Sequence, residues 1–301
     1  MKLSVCIPSY NPTVALTATI DSLVSQNYLI DQLVIIIDNN NYAKQVEEFK
    51  KKYSGVFNLS ITMQANTGRA GARNNCVKIA TGDIILFLDD DMITEGNLVK
   101  KHIDYHAKEG ECVVSGSGFH DPSKAKTSFA KYVLQSELSW QKNIPADNRV
   151  TMENFAFTAC NMSMPAGIFN RLGGFDSRLK DAEDFDFGVR ALDKGVKIFY
   201  DKDIKAWHND SMDLKQTIRR YNEYKIANAA LLNLHPDYHK RFPHFIPVAP
   251  RAVKRVMKWI FRHIFAPFVL SDLFIFRVLP LNAKFTLYRL TIAANLNEDG
   301  K

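Results

Sequence analysis

Short, unbroken apolar runs alternate with longer stretches of helical periodicity over the first third of the chain. The run at 3–7 stops at Pro8, that at 33–37 at Asp38-Asn39-Asn40, and that at 84–88 at Asp89-Asp90-Asp91; a fourth begins at 112–115. A strand with one wet face alternates apolar and polar residues. Runs without alternation suit strands covered on both faces, as in a parallel sheet. Between them, about 13–27, 42–53, 69–81 and 95–108 read as helices. The order β-α-β-α-β predicts an α/β domain with a mainly parallel central sheet flanked by helices. From about 216 to 301 the pattern becomes helical and rich in aromatic and basic residues. This predicts a catalytic α/β domain over 1–215 and a helical C-terminal extension over 216–301.

In open α/β sheets ligands bind beyond the carboxyl ends of the strands. Polar residues follow three of the runs directly: Ser9-Tyr10-Asn11, Asp38-Asn39-Asn40 and Asp89-Asp90-Asp91. All three groups are expected at one crevice. Asp and Asn also end strands as turn formers, which explains Asn39–Asn41 equally well. It explains three consecutive aspartates poorly, because nothing local neutralises them. Successive side chains on a strand point to opposite faces, so Asp89 and Asp91 are expected to share a side and Asp90 to point away. Adjacent carboxylates repel unless a cation lies between them or one is protonated. Hard divalent ions such as Mg²⁺ or Mn²⁺ take oxygen ligands and bridge to phosphate oxygens.

Composition changes this picture little. Hydrophobic residues make up 46% and charged residues 24% of the 301, with a net charge of +7. A basic balance suits a phosphorylated substrate, an anionic membrane or nucleic acid, but a non-catalytic basic protein of the membrane periphery or of nucleic acid would leave the acidic clusters unexplained. Cys6, Cys76, Cys112 and Cys160 are scattered without a C-x-x-C pair, which fits a reduced, cytoplasmic chain and excludes a disulfide scaffold. Nowhere do 18 apolar residues run together as a membrane span requires.

Six segments, in order, resemble the inverting family-2 glycosyltransferases with their GT-A fold. They are SVCIPSYNP at 4–12, LVIIIDN at 33–39, NTGRAGARNNCVKIATGDIILFLDDDM at 66–92, NMSMPAGIFNRLGGFDSRL at 161–179, AEDFDFGVRALDKG at 182–195, and Ala206-Trp207-His208 after a strand at 197–200. The resemblance spans roughly 3–210, with a nucleotide-sugar half to about 115 and an acceptor half beyond it. One departure is Asn39, where the family often has a second acidic residue.

The resemblance implies transfer of a sugar from a nucleoside-diphosphate sugar, UDP-linked by default, to a hydroxyl of a glycan or lipid-linked acceptor. It places the donor against Pro8, Tyr10, Asp38, Arg73, Asp89 and Asp90. Asp91, with Asp89 and His208, would hold Mn²⁺ or Mg²⁺. Asp184, with Glu183 beside it, would be the general base, and Asn161 and Gly174 would line the acceptor side. Each has a plainer alternative. The acids at 181–186 complement a helix N-terminus, Arg190 pairs with Asp186 or Glu183 on one helix face, and the methionines beside Asn161 suit a core. A sugar-nucleotide nucleotidyltransferase would share metal-binding aspartates, but its glycine- and basic-rich phosphate loop is replaced here by Ser9-Tyr10-Asn11-Pro12.

At 250–265 apolar and cationic residues separate onto two helical faces: Val256, Ile260 and Ile264 against Arg255, Lys258 and Arg262. Such a helix suits an anionic membrane surface, and packing on the protein is the alternative. The following stretch at 268–279 is about 18 Å long as a helix, too short to span.

Overall fold

The computed structural model describes residues 1–142, 144–210, 213–242, 256, 258–265, 269 and 278–296. It forms two compact units: Met1–Asp121 with Trp140–Asp210, and Pro122–Ser139 with Ser211–Lys301.

The first unit is built on an eight-stranded mixed sheet. Its strands are β1 (Leu3–Ser9), β2 (Gln32–Ile37), β3 (Leu59–Met63), β4 (Ile84–Leu88), β5 (Met92–Thr94), β6 (Cys112–His120), β7 (Asn161–Pro165) and β8 (Lys197–His208), in the order β3-β2-β1-β4-β7-β6-β8-β5. Helices α1 (Val14–Val24), α2 (Ala43–Tyr53), α3 (Gly68–Ile79), α4 (Leu98–Glu109), α6 (Ala166–Arg171) and α7 (Glu183–Asp193) belong to this unit. α5 (Ser128–Gln141) lies mainly in the second.

The unbroken apolar runs are covered on both faces, as their pattern implies. Leu33, Ile35 and Ile37 enter one core with Leu3, Val5, Ile7, Leu86 and Leu88. Val34 and Ile36 enter the opposite core with Cys6, Ile85 and Phe87. The alternation of side chains along a strand thus feeds two hydrophobic layers from one sequence run. The half-exposed edge strand β3 lacks such a run and escapes the sequence pattern.

Strand direction decides where the site lies. β1 pairs in parallel with β2 and β4, β4 pairs antiparallel with β7, and β7 antiparallel with β6, which is parallel to β8. β1, β2, β4, β6 and β8 therefore run the same way. The residues ending them, Ser9, Ile37, Leu88, His120 and His208, share one edge of the sheet.

In the second unit α8 (Leu214–Leu234), α9 (Tyr238–Arg241) and α10 (Leu281–Asn295) accompany α5. Phe129, Leu214, Val269, Tyr288 and Ile292 form its core; the Phe129 and Tyr288 rings meet edge-on at 5.0 Å, and Ser128 Oγ lies 2.6 Å from Tyr288 Oη. Much of the amphipathic stretch at 250–280 lies outside the described residues. Of its described part, Val256 and Trp259 are both 60% exposed. No helix among the described residues is long and apolar enough to cross a membrane. All four cysteines are free and buried.

Candidate active site

The aspartate triplet forms the turn between β4 and β5, so the alternation of a continuing strand does not apply to it. Its three carboxylates take three different partners. Asp89 Oδ1 accepts from Arg73 Nη2 at 2.6 Å. Asp90 Oδ2 accepts from Ser9 Oγ at 2.5 Å. Asp91 Oδ1 lies 3.4 Å from His208 Nδ1 across the β5–β8 pair.

These surroundings separate the carboxyls chemically. Burial works to raise Asp89, but the Arg73 and Arg69 charges outweigh it and hold it below the usual range. Burial pushes Asp90 up to about 7; the Ser9 hydroxyl opposes this, and the Asp91 and Asp89 charges add to it. Burial works to lower His208, yet Asp91 and Cys160 raise it well above an ordinary imidazole.

The second carboxylate cluster opens α7. Ala182 precedes it in the left-handed region at φ 64°, a costly conformation for a residue with a Cβ. Glu183 is 2% exposed and accepts from Arg73 Nη1. Asp186 is fully buried and paired with Arg190 Nε at 2.7 Å. Asp181 meets Arg69 Nη1 at 3.3 Å. Asp184 is half-buried and, among the described residues, has no ion-pair partner. Its oxygens accept from the Phe185 N–H at 2.8 Å and the Ala159 N–H at 3.4 Å. Burial raises its carboxyl, with Arg73 and these amides opposing and Asp181 adding to the shift.

Other expected site residues have structural duties. Asp38 is 4% exposed and accepts from the Thr67 and Gly68 N–H groups at 2.9 Å each, and from Gln64 Nε2 at 2.6 Å. It thereby caps α3 from the neighbouring strand end. Pro8 is half-buried, and Tyr10 is 53% exposed at the same sheet edge. Arg73, expected to touch nucleobase and ribose, instead spends both terminal nitrogens on Asp89 and Glu183. Asn161, expected to face an acceptor, is fully buried: its Nδ2 donates to the Ser117 and Ile204 carbonyls at 3.0 Å each, and its Oδ1 faces His102. The strand β7 turns it inward. Gly174, at φ 70°, sits in a turn whose carbonyl accepts from Arg190 Nη2 at 2.8 Å.

Two neighbours of the site escaped the sequence. β6 continues to His120, whose Nε2 lies 2.8 Å from Asp210 Oδ1 and whose ring centre lies 5.6 Å from that of His208. Cys160 also interacts with His208. The strand was hidden by its Ser-Gly-Ser-Gly sequence. A Cβ at Gly116 would lie 2.3 Å from Asn161 Nδ2, and one at Gly118 2.3 Å from Cys160 Sγ. Those glycines serve close packing, not a turn.

Among the described residues no three His, Cys, Asp or Glu side chains surround a common cation position. Asp91 is 31% exposed at its side chain. That arrangement fits Mg²⁺ or Mn²⁺, which use one or two carboxylates and take their remaining ligands from phosphate and water.

Residues 4–173, more than half of the chain, match the sequence profile of Glycosyl transferase family 2. The chain is 24% identical over 233 residues to the probable glycosyltransferase YdaM of Bacillus subtilis, covering 75% of this chain and 55% of that protein. It spans 30%, 55% and 31% of the length of the curated relatives YfnE, YdaM and AmsB. In fold it is similar to the mannosyltransferase PcManGT from Pyrobaculum calidifontis in complex with GDP-Man and Mn²⁺, with TM-score 0.63, 17% identity and coverage of 97% of this chain and 85% of that one. It is also similar to S. aureus TarS 1–349 in complex with UDP, with TM-score 0.56, 18% identity and coverage of 98% and 89%. On the extent of the family match, this chain belongs to glycosyl transferase family 2.

Proposed function

We propose that the chain is an inverting, metal-dependent glycosyltransferase with Asp184 as its base. The carrying observation is the contrast within the pair at the start of α7. Glu183 is buried against Arg73, whereas Asp184 is half-buried with no cation of its own. A base needs access to a proton and an affinity for it. Burial supplies the affinity at Asp184, and its position supplies the access.

In the reaction the acceptor hydroxyl oxygen forms a bond to the anomeric carbon of the donor sugar. The bond from that carbon to the diphosphate breaks on the opposite face, inverting the centre, and the hydroxyl proton passes to Asp184. The donor lies along Pro8, Tyr10, Asp38, Asp89 and Asp90. Asp91, with His208 beside it, would hold Mn²⁺ or Mg²⁺, which neutralises charge on the departing diphosphate when bound. Solved structures of like fold carry UDP, or GDP-Man with Mn²⁺, which supports a nucleoside-diphosphate donor with UDP as the first to try. The acceptor is a glycan or lipid-linked hydroxyl. The exposed Val256 and Trp259, near the exposed cation Arg262, support docking of the second unit on an anionic membrane surface.

A thermal-shift panel of UDP, GDP and their sugars, with and without Mn²⁺, tests the donor assignment. A ligand that binds only the folded state raises the midpoint with its occupancy. A Mn²⁺-dependent rise with one nucleotide is expected, and a flat panel would refute the proposal. Sedimentation with anionic vesicles at low salt tests the membrane assignment, and protein left wholly in the supernatant would refute that part.

A further inference from the structure

One cation joins the two carboxylate clusters. Arg73 lies in α3, 3% exposed, with Nη2 on Asp89 Oδ1 at 2.6 Å and Nη1 on Glu183 Oε1. The Phe175 ring covers its guanidinium at 5.7 Å. Asp89 belongs to the turn after β4; Glu183 is the first residue of α7 and the covalent neighbour of Asp184. The fork of Arg73 therefore spans the two parts of the site.

Stability does not explain this arrangement well. Burying an ion pair costs desolvation that its attraction often fails to recover, and apolar replacements are commonly as stable. Here one buried guanidinium is shared by the buried Glu183 and the half-buried Asp89, with Asp184 adding to the negative field around it. Arg73 Nε and Glu183 Oε2 are buried with no hydrogen-bond partner among the described residues. The first turn of α7 also begins from the left-handed Ala182, so its entry is held in a costly backbone conformation. What the geometry does supply is register. A planar guanidinium fixes two carboxylates at a set separation and orientation, which a single ammonium cannot do.

We infer that Arg73 is a positioning residue that holds the turn bearing Asp184 in register with the donor-side Asp89. The inference rests on Asp184 being the base, as proposed above. Arg73 acts through Glu183 and Asp89 and does not touch the donor. Its loss therefore disturbs where Asp184 stands more than it disturbs nucleotide affinity.

The test compares Arg73→Lys, Glu183→Gln, Asp184→Asn and the double variant Arg73→Lys/Asp184→Asn with wild type. UDP affinity is measured by calorimetry in Mn²⁺, or GDP affinity if GDP gives the larger thermal shift. Turnover is the hydrolysis of the matching nucleotide sugar, with water in place of the acceptor. Arg73→Lys is expected to keep nucleotide affinity within about threefold and to lose about 30-fold or more in kcat. The double variant is expected to fall within about threefold of Asp184→Asn alone, because both changes act on one carboxylate. Glu183→Gln, nearly isosteric, should show the same split and carries the test if Arg73→Lys fails to fold.

A loss of nucleotide affinity of tenfold or more, parallel to the loss of turnover, would make Arg73 a donor contact and overturn the inference. So would additive losses in the double variant. If wild type binds neither nucleotide, the proposed function falls and the inference with it. If wild type binds and hydrolyses while Arg73→Lys matches it, only the inference falls.

Discussion

Two polar clusters are built into the same sheet, and they are satisfied to different degrees. One lies beneath β6 and β7, where α4 presents His102 and His106 to the strands. Asn161 Nδ2 donates to two carbonyls, which fixes its Oδ1 as the acceptor for His102 Nε2 at 2.9 Å. A neutral imidazole has one donor and one acceptor nitrogen, so His102 Nδ1 must accept from Ser163 Oγ, 2.8 Å away. Ser163 Oγ is then free to accept from His106 Nε2 at 2.7 Å, leaving His106 Nδ1 to face Cys112 Sγ at 3.6 Å. The chain of protons closes with every group neutral and partnered. The second cluster, at the strand ends, gathers Asp89, Asp90, Asp91, Glu183 and Asp184 with Arg73 and His208; burial raises the carboxyls of Asp90, Glu183 and Asp184, and Arg73 Nε and Glu183 Oε2 have no hydrogen-bond partner among the described residues. A buried polar network that is complete specifies a fold, whereas one that leaves charged atoms unpartnered is where chemistry is to be sought.

The largest expected effect tests the incomplete cluster. Asp184→Asn should lower turnover about 10²-fold or more and leave nucleotide affinity near wild type, since the base acts on the hydroxyl and not on the donor. Steady-state hydrolysis and calorimetry together measure this. Near-normal turnover would move the base elsewhere in the cluster.

Next comes the complete cluster. Asn161→Ala strips the partner from His102 Nε2 and from two strand carbonyls, each left buried. A stability loss on the order of 3 kcal/mol is expected, read from denaturant midpoints, with nucleotide affinity in the surviving folded protein unchanged. An affinity loss without a stability loss would return Asn161 to the ligand site.

How far the sequence shows this contrast depends on how local its signals are. β2 and β4 were plain as unbroken apolar runs, and α2 and α3 lie close to their expected spans. Both carboxylate clusters were visible because their acids are neighbours in the chain. What separates Glu183 from Asp184 was not visible, since it is Arg73, 110 positions away. Asn161 misled for a related reason. Its partners come from α4, β6 and β8, so nothing near it in sequence says that its valences are full. Yet Asn161-Met162-Ser163-Met164 alternates with period two. Both methionines are fully buried in one core, while Asn161 and Ser163 meet the histidines. That alternation is a strand signal passed over in favour of the motif. β6 was cut short because glycine is poor in strands, and only the contacts of Gly116 and Gly118 explain its presence.

The clusters also pull stability in opposite directions with pH. Burial lowers His102 to about 3 and His106 to about 4. The unfolded chain, with histidines near 6.5, then binds more protons than the folded one. This contribution is full above about pH 6.5 and is lost as pH falls toward 4 and 3. Asp90 and Glu183, raised to about 7 chiefly by burial, have the reverse sign. The folded chain holds their protons longer, so stability falls as pH rises from about 4 to 7. Without metal or nucleotide, His106→Gln should flatten the acid limb of midpoint against pH, and Asp90→Asn should raise the midpoint at pH 8 more than at pH 5. Parallel curves for all three proteins would show that neither cluster is coupled to folding through its protons.

The smallest expected effect asks whether Asp91 serves a cation. Asp91 lies in a turn, its side chain 31% exposed, and it contributes little to the core. Asp91→Asn keeps the shape and removes the charge, so the midpoint without ligand should move little. The Mn²⁺-dependent part of nucleotide affinity should fall about tenfold, roughly the worth of one charge-assisted contact, while the metal-free affinity stays as it was. His208 provides an internal control. Burial works to lower its imidazole and Asp91, ahead of Cys160, raises it, so Asp91→Asn should also bring the His208 titration, followed by NMR, down toward the ordinary range. A shifted titration with undiminished Mn²⁺ dependence would make the pair a structural ion pair. Asp91 would then belong with the groups whose partners are already in the fold.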